Sequence, residues 1–200
     1  MNLKGHVSQA VLAFGSLPYM GKALRHYNLC GDLRICDTLL LFIDKAKLDF
    51  SNIYSIPLTL AFLMLTLFGA KFPDLDLLLS PLFDRGTGMR RYRYHRQLTH
   101  SVLLWGVTMW YALYTYNVFL FYFAIGGIVH LLGDMLTGSV PWLLWGRYRN
   151  FFTRVGIDRL LWCANSRSRQ ALFQGIARTL DLLSPIIAAL GLFLLLRKSF

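Results

Sequence analysis

The chain contains no glutamate: its 10 acidic residues are all aspartate, so a Glu general base is excluded. Charged residues of either sign make up 16% of the 200 residues, where soluble domains carry about a quarter. Cysteine is limited to Cys30, Cys36 and Cys163. Their spacing fits neither a CxxC pair nor a zinc ribbon, so reduced thiols are expected. A Cys30–Cys36 disulfide requires that loop to lie outside the cytoplasm. The N-terminus lacks the form of a secretory signal, because His6, Ser8 and Gln9 interrupt the first apolar stretch and no small-x-small cleavage site follows. There is no internal repeat and no low-complexity tract.

What is abundant is apolar surface. The chain is 56% hydrophobic, with 15 Phe, 10 Tyr and 5 Trp, and its mean hydropathy is +0.46. A soluble domain of this size cannot enclose so much apolar area. A bilayer can, and its two interfaces suit amphipathic rings. The formal charge of +11 then reads as topology, with cationic loops facing the cytoplasm. It also favours membrane lipids and an anionic or phosphate-containing substrate as partners. The tract Arg90-Arg91-Tyr92-Arg93-Tyr94 interleaves basic and aromatic residues as nucleic-acid binders do. It is short and adjoins a membrane segment, so nucleic acid is not expected.

Apolar stretches fall at residues 7–20, 51–70, 101–133 and 182–196. The first ends near Pro18 and Gly21, and Pro185 sits in the first turn of the last, where proline is tolerated. Residues 51–70 have about the length a spanning helix needs. A single helix over 101–133 would be about 50 Å long, so that stretch is expected to fold back near Asn117. Between these lie a polar insert at 22–50, with no assignable place, a basic loop at 81–96, and a basic, Trp-rich stretch at 141–178. The expectation is one domain over residues 1–200: an all-α polytopic membrane helical bundle of about four to five apolar helices.

On such a bundle the ionisable residues are not scattered. His6 precedes the first helix, Asp74 and Asp76 follow the second, His95 and His100 precede the third, and His130 and Asp134 end the fourth. In an up-down arrangement all of these share one end, where bundles house metals between facing helices. Each has an ordinary reading alone: a turn for Pro73-Asp74, idle histidines beside Thr99 as an N-cap. His130 and Asp134 resist it, since ionisable groups inside an apolar segment are functional by default and an i, i+4 pair shares a helix face. Thr137, one turn further, is placed to orient a ligand, and Gly126, Gly127 and Gly133 admit a close neighbouring helix. Imidazole with carboxylate suits zinc, manganese or iron rather than calcium. Assigning residues 1–6, 71–100 and 134–181 to that end gives it 14 of the 21 Lys and Arg, which puts it in the cytoplasm.

The motifs Gly5-His6, Pro73-Asp74-Leu75-Asp76, His95-Arg96-Gln97-Leu98-Thr99-His100-Ser101 and His130 through Asp134 to Thr137 stand in an order that is recognisable. Over residues 1–20 and 56–145 the chain resembles the bacterial inner-membrane metal-dependent hydrolase family typified by YdjM. It departs from that pattern in having Gln97 where glycine is expected, and in the 22–50 insert. The resemblance implies metal-dependent hydrolysis, with phosphoesters as the substrate class, because the motif is distantly similar to that of zinc-dependent phospholipase C and related nucleases. The expected ligands are then His6, Asp74, His95, His100, His130 and Asp134, holding one or two divalent ions, most simply zinc. Asp76 is a further ligand or base, and Arg96 holds an anionic group. The alternative is a non-catalytic membrane protein with a structural or transported ion.

Overall fold

The computed structural model describes residues 3–27, 34–45, 52, 54–75, 99–137 and 166–197. All regular structure among them is helical: α1 Leu3–His26, α2 Arg34–Lys45, α3 Ser55–Lys71 continued by a 3-10 turn Phe72–Asp74, α4 Val102–Tyr114, α5 Val118–Thr137 and α6 Ser166–Arg197. Three segments are long and apolar enough to cross a membrane: Ser55–Asp74, Val118–Met135 and Arg178–Arg197. The shorter apolar α4 stands beside them. The expected helical membrane bundle is therefore the observed fold. The 81–96 loop, Asp76, His95, Arg96, Cys30, Cys163 and the side chain of Thr137 lie outside the described residues.

The fold-back in the 101–133 stretch occurs where Asn117 places it. Thr115 ends α4, Tyr116 takes a left-handed φ of 56°, and the amides of Tyr116 and Asn117 donate back to Leu113 O and Ala112 O. This is the pattern of a helix terminated by a left-handed residue. Asn117 Oδ1 then accepts from Leu120 N at 3.0 Å and caps α5. At the other end of α4 the cap is Ser101, whose Oγ accepts from Leu104 N. Thr99, the expected cap, is two residues too early, and its hydroxyl is used elsewhere.

Three boundaries differ from the hydropathy reading. First, α1 does not stop at Pro18 but runs to His26, and His6 lies inside it rather than before it. The cost of a missing amide at Pro18 is met by packing on both sides: Phe14 and Leu17 are buried, and Gly21 lies against Ile43 of α2. Second, the polar insert contains α2, an amphipathic helix that buries Thr38, Phe42 and Ile43 and closes one end of the bundle. Third, α6 starts at Ser166, so Pro185 is interior. Residues 166–181 are too polar to register as a span, but Arg, Gln, Ala and Leu are good helix formers.

Helix contacts are close because small residues permit them. A Cβ added at Gly69 would sit 2.0 Å from Phe123 O, and one at Gly126 would sit 2.0 Å from Thr66 O. The backbones of α3 and α5 thus touch, as membrane helices do at small residues. Gly15 of α1 and Gly191 of α6 meet in the same way, and Tyr19 OH donates to Leu194 O nearby. Outward-facing Met64, Phe68, Val107, Trp110, Ile186 and Phe193 are exposed, as expected of surfaces that meet lipid rather than water.

Candidate metal centre

The five described candidates come together at one end of the bundle. His6 is in the first turns of α1, Asp74 closes the 3-10 turn after α3, His100 precedes the cap of α4, and His130 and Asp134 are one turn apart near the end of α5. His6, His100, His130 and Asp134 are at most 2% exposed, and Asp74 is the one with 31% of its side chain open. His26 lies at the far end of α1, exposed against Tyr27.

The candidate side chains are aimed by the elements that carry them. The contact between α3 and α5 at Gly69 and Gly126 sets His130 over the end of α3. There Ala70 O is one of the last four carbonyls that a helix leaves without an internal partner. His130 Nδ1 lies 2.7 Å from it. A carbonyl can only accept, so Nδ1 carries the proton and, in the neutral ring, Nε2 carries the lone pair. His100 is set by a chain of bonds. Trp105 Nε1 donates to Thr99 O at 2.7 Å, and Thr99 Oγ1 donates to Pro73 O at 2.9 Å. With its proton used, that hydroxyl accepts from His100 Nδ1, 3.3 Å away. His100 Nε2 is then also a lone pair. Gly127 makes this arrangement possible, since a Cβ there would strike the Trp105 ring at 2.2 Å.

The two lone pairs face each other: His100 Nε2 and His130 Nε2 are 3.2 Å apart. Two neutral acceptors at that range repel unless a proton or a cation lies between them. Asp134 Oδ2 is 3.4 Å from both nitrogens, and Asp74 Oδ1 is 3.6 Å from His100 Nε2 and 3.7 Å from His130 Nε2. Four donors about 2.05 Å from a tetrahedral ion lie about 3.3 Å apart. The observed separations scatter around that value, so these residues fit a divalent cation. Burial argues the same way, because a carboxylate excluded from water costs free energy unless it is paired or holds a metal. Groups able to hold an ion are His100 with His130 and Asp134, and His6 with Asp74 and His130.

The sequence pointed to the candidate residues but not to what holds them. Ala70 O, Trp105 and the Thr99 hydroxyl emerged only from the fold. The position of Ala70 in the last turn of α3 was the one available signal, since carbonyls there seek outside donors.

Comparison with curated proteins and with solved structures returned no match. The sequence model of the YdjM inner membrane protein family matches residues 45–196, which includes Asp74, His100, His130 and Asp134 and leaves His6 outside. On a match across three quarters of its length, the chain belongs to the YdjM inner membrane protein family.

Proposed function

We propose that this protein is a multi-pass, membrane-bound metal-dependent hydrolase acting at the cytoplasmic face of the bacterial inner membrane. Its substrate is a phosphoester or another lipid-linked anionic group. The observation that carries this reading is the convergence of His100, His130, Asp134 and Asp74, from three separate segments of the chain, at ligand spacing around one point. Nitrogen and carboxylate donors favour zinc, with manganese or iron as the other fits. A bound ion supplies a Lewis acid that polarises a phosphoryl oxygen and acidifies water.

The chain's own residues do the rest. Ala70 O and Thr99 fix the tautomers of His130 and His100, so that both present lone pairs. Asp134 brings negative charge into the buried centre. Asp74, the exposed member, marks the side from which substrate arrives. Arg96, beside His95 in sequence, is assigned to the anionic group of the substrate, where a guanidinium binds two oxygens at once. Asp76 is assigned to the attacking water as base. Glutamate is absent from the chain, so the base is an aspartate or a metal-bound hydroxide.

The near-complete burial of His100, His130 and Asp134 favours a second reading, a structural ion in a closed site. One experiment separates the two. Detergent-purified protein is loaded with zinc and screened against phosphoester and phospholipid substrates, with Asp76→Asn and Arg96→Ala alongside. Hydrolysis that needs zinc and falls in both variants, at unchanged zinc content, supports the hydrolase. Bound zinc with no turnover of any substrate leaves the structural reading, and no bound zinc sinks both.

A further inference from the structure

We propose that this end of the bundle holds a second divalent cation, bound by His6 and bridged to the first through Asp134. The inference rests on the ion-binding reading above and extends it from one ion to two.

The lone pair of an imidazole nitrogen lies in the plane of its ring, so an ion bound there lies in that plane too. His6 and His130 are stacked, with centroids 3.9 Å apart and planes inclined by 21°. Lone pairs in such nearly parallel planes run side by side rather than toward a common point, although Asp74 lies within reach of both rings. His100 is different: its ring is inclined by 65° to that of His130, and the two Nε2 atoms converge. His100 and His130 can share an ion, and His6 is placed to hold another.

Asp134 is divided in the matching way. Its Oδ2 faces His100 and His130 at 3.4 Å, while its Oδ1 faces His6 Nε2 at 3.6 Å. A carboxylate with one oxygen toward each of two imidazole groups is placed to bridge two cations. Paired catalytic ions stand about 3.5–4 Å apart, a separation that the two oxygens of one carboxylate can span. Asp74 offers a carboxylate oxygen within 4.8 Å of ring nitrogens of both His6 and His130, so it can complete either position. Two carboxylates at the junction also offset the repulsion between two dications.

The competing role for His6 is to hold Asp134 in place by a hydrogen bond. The 3.6 Å separation is too long for one. His6 is also 2% exposed, with a buried Nδ1 that has no hydrogen-bond partner among the described residues. Burying an imidazole on those terms is costly, and coordination of a cation by Nε2 offsets the cost.

The test counts ions in the full-length protein, purified in detergent and equilibrated with zinc alone. Two zinc ions per chain are expected in the unmutated protein and one in His6→Ala. One ion in the unmutated protein overturns the second site and leaves the first intact. No ion overturns the ion-binding reading itself. Two ions, or none, in a folded His6→Ala overturns the assignment of His6. Should that variant fail to fold, the unmutated protein decides the question by electron paramagnetic resonance after loading with manganese. Two ions bridged by Asp134 give a spin-coupled spectrum, and an isolated-ion spectrum at full loading overturns the pair.

Discussion

Where α1 and α6 terminate, the buried side chains are Phe14, Phe42, Phe62, Phe121 and Tyr122, filled in by Leu17, Ile43 and Leu195. At the opposite end His6, His100, His130 and Asp134 are buried beside Trp105 and Leu131. Both groups are almost completely shielded, yet they are held in opposite ways. The first is an aromatic cluster, with Phe62 and Tyr122 stacked at 4.3 Å, and its buried phenol is satisfied by Tyr122 OH donating to Phe42 O at 2.5 Å. Removing water is what stabilises it. At the second end, removing water is what must be offset, because imidazoles and a carboxylate lose hydration there. One end holds the bundle together by itself, and the other end, on the reading proposed above, becomes stable when a cation joins it.

If that contrast is right, the largest effects arise from taking the cation away. His130→Ala and Asp134→Ala should each lose the ion shared with His100 and reduce zinc-dependent hydrolysis to background. Zinc analysis and a hydrolysis assay on folded, membrane-extracted protein check this. An ion at 1,000 times its Kd stabilises a protein by about 4 kcal/mol. A chelator should therefore lower the melting temperature of the unmutated protein by more than that of either variant. The double change His130→Leu with Asp134→Leu separates ligands from a mere buried pair. Replacing both partners by apolar groups relieves the burial cost, so this variant should fold well and bind less zinc. Full zinc content in it sinks the site.

The aromatic end should respond the other way round. Phe62→Ala removes a ring that is 1% exposed and should cost about 3–5 kcal/mol, read as a lower midpoint of thermal or denaturant unfolding. Zinc content per folded chain should not change. A loss of zinc in this variant would show that the two ends are not independent.

Much of this contrast was legible in the sequence, because two physical signals are strong there. Long uncharged stretches report transfer into lipid, and the alternation of spans then assigns each flanking His or Asp to an end. The i, i+4 spacing of His130 and Asp134 reports a shared face. The rest was not legible because hydropathy says nothing about packing. Residues 34–45 form a helix on account of what they touch: Ile43 against Gly21, Phe42 O under Tyr122. The start of α6 is polar, and α1 passes through Pro18 because its neighbours hold it. At the site, composition and spacing supplied donors but not directions. That His6 stacks on His130 while His100 converges with it is a consequence of helix rotation, which no pattern of residue types encodes.

A smaller effect should come from Thr99→Val, which keeps the shape and removes the hydroxyl. Thr99 Oγ1 links Pro73 O to His100 Nδ1, so the variant frees the His100 ring to turn. Loss of such an orienting partner weakens metal binding by about 10- to 100-fold. A zinc titration against a competing chelator measures this. Thr99→Ser, which retains the hydroxyl, should bind zinc nearly as well as the unmutated protein. Equal weakening in both variants would point to packing of the γ-methyl instead.

The smallest effect is expected from the ion pair with the best geometry. Arg25 at the end of α1 meets Asp44 of α2 through two contacts, 2.6 and 2.9 Å long, shorter than any His–Asp separation at the metal centre. Distance alone would rank this pair first. Its side chains are 46% and 31% exposed, however, so water and salt screen the attraction, and ordering two long side chains opposes it. The buried pairs at the other end are longer by up to 1 Å, but they have no water to exchange for. Arg25→Ala should therefore leave melting temperature and zinc content unresolvably changed, and α2 should stay docked through Phe42 and Ile43. The measurement is a melting curve at low and at high salt. A clear loss of stability at low salt that vanishes at high salt would mean that Arg25 fastens α2 electrostatically. The aromatic end would then depend on charge more than its buried residues imply.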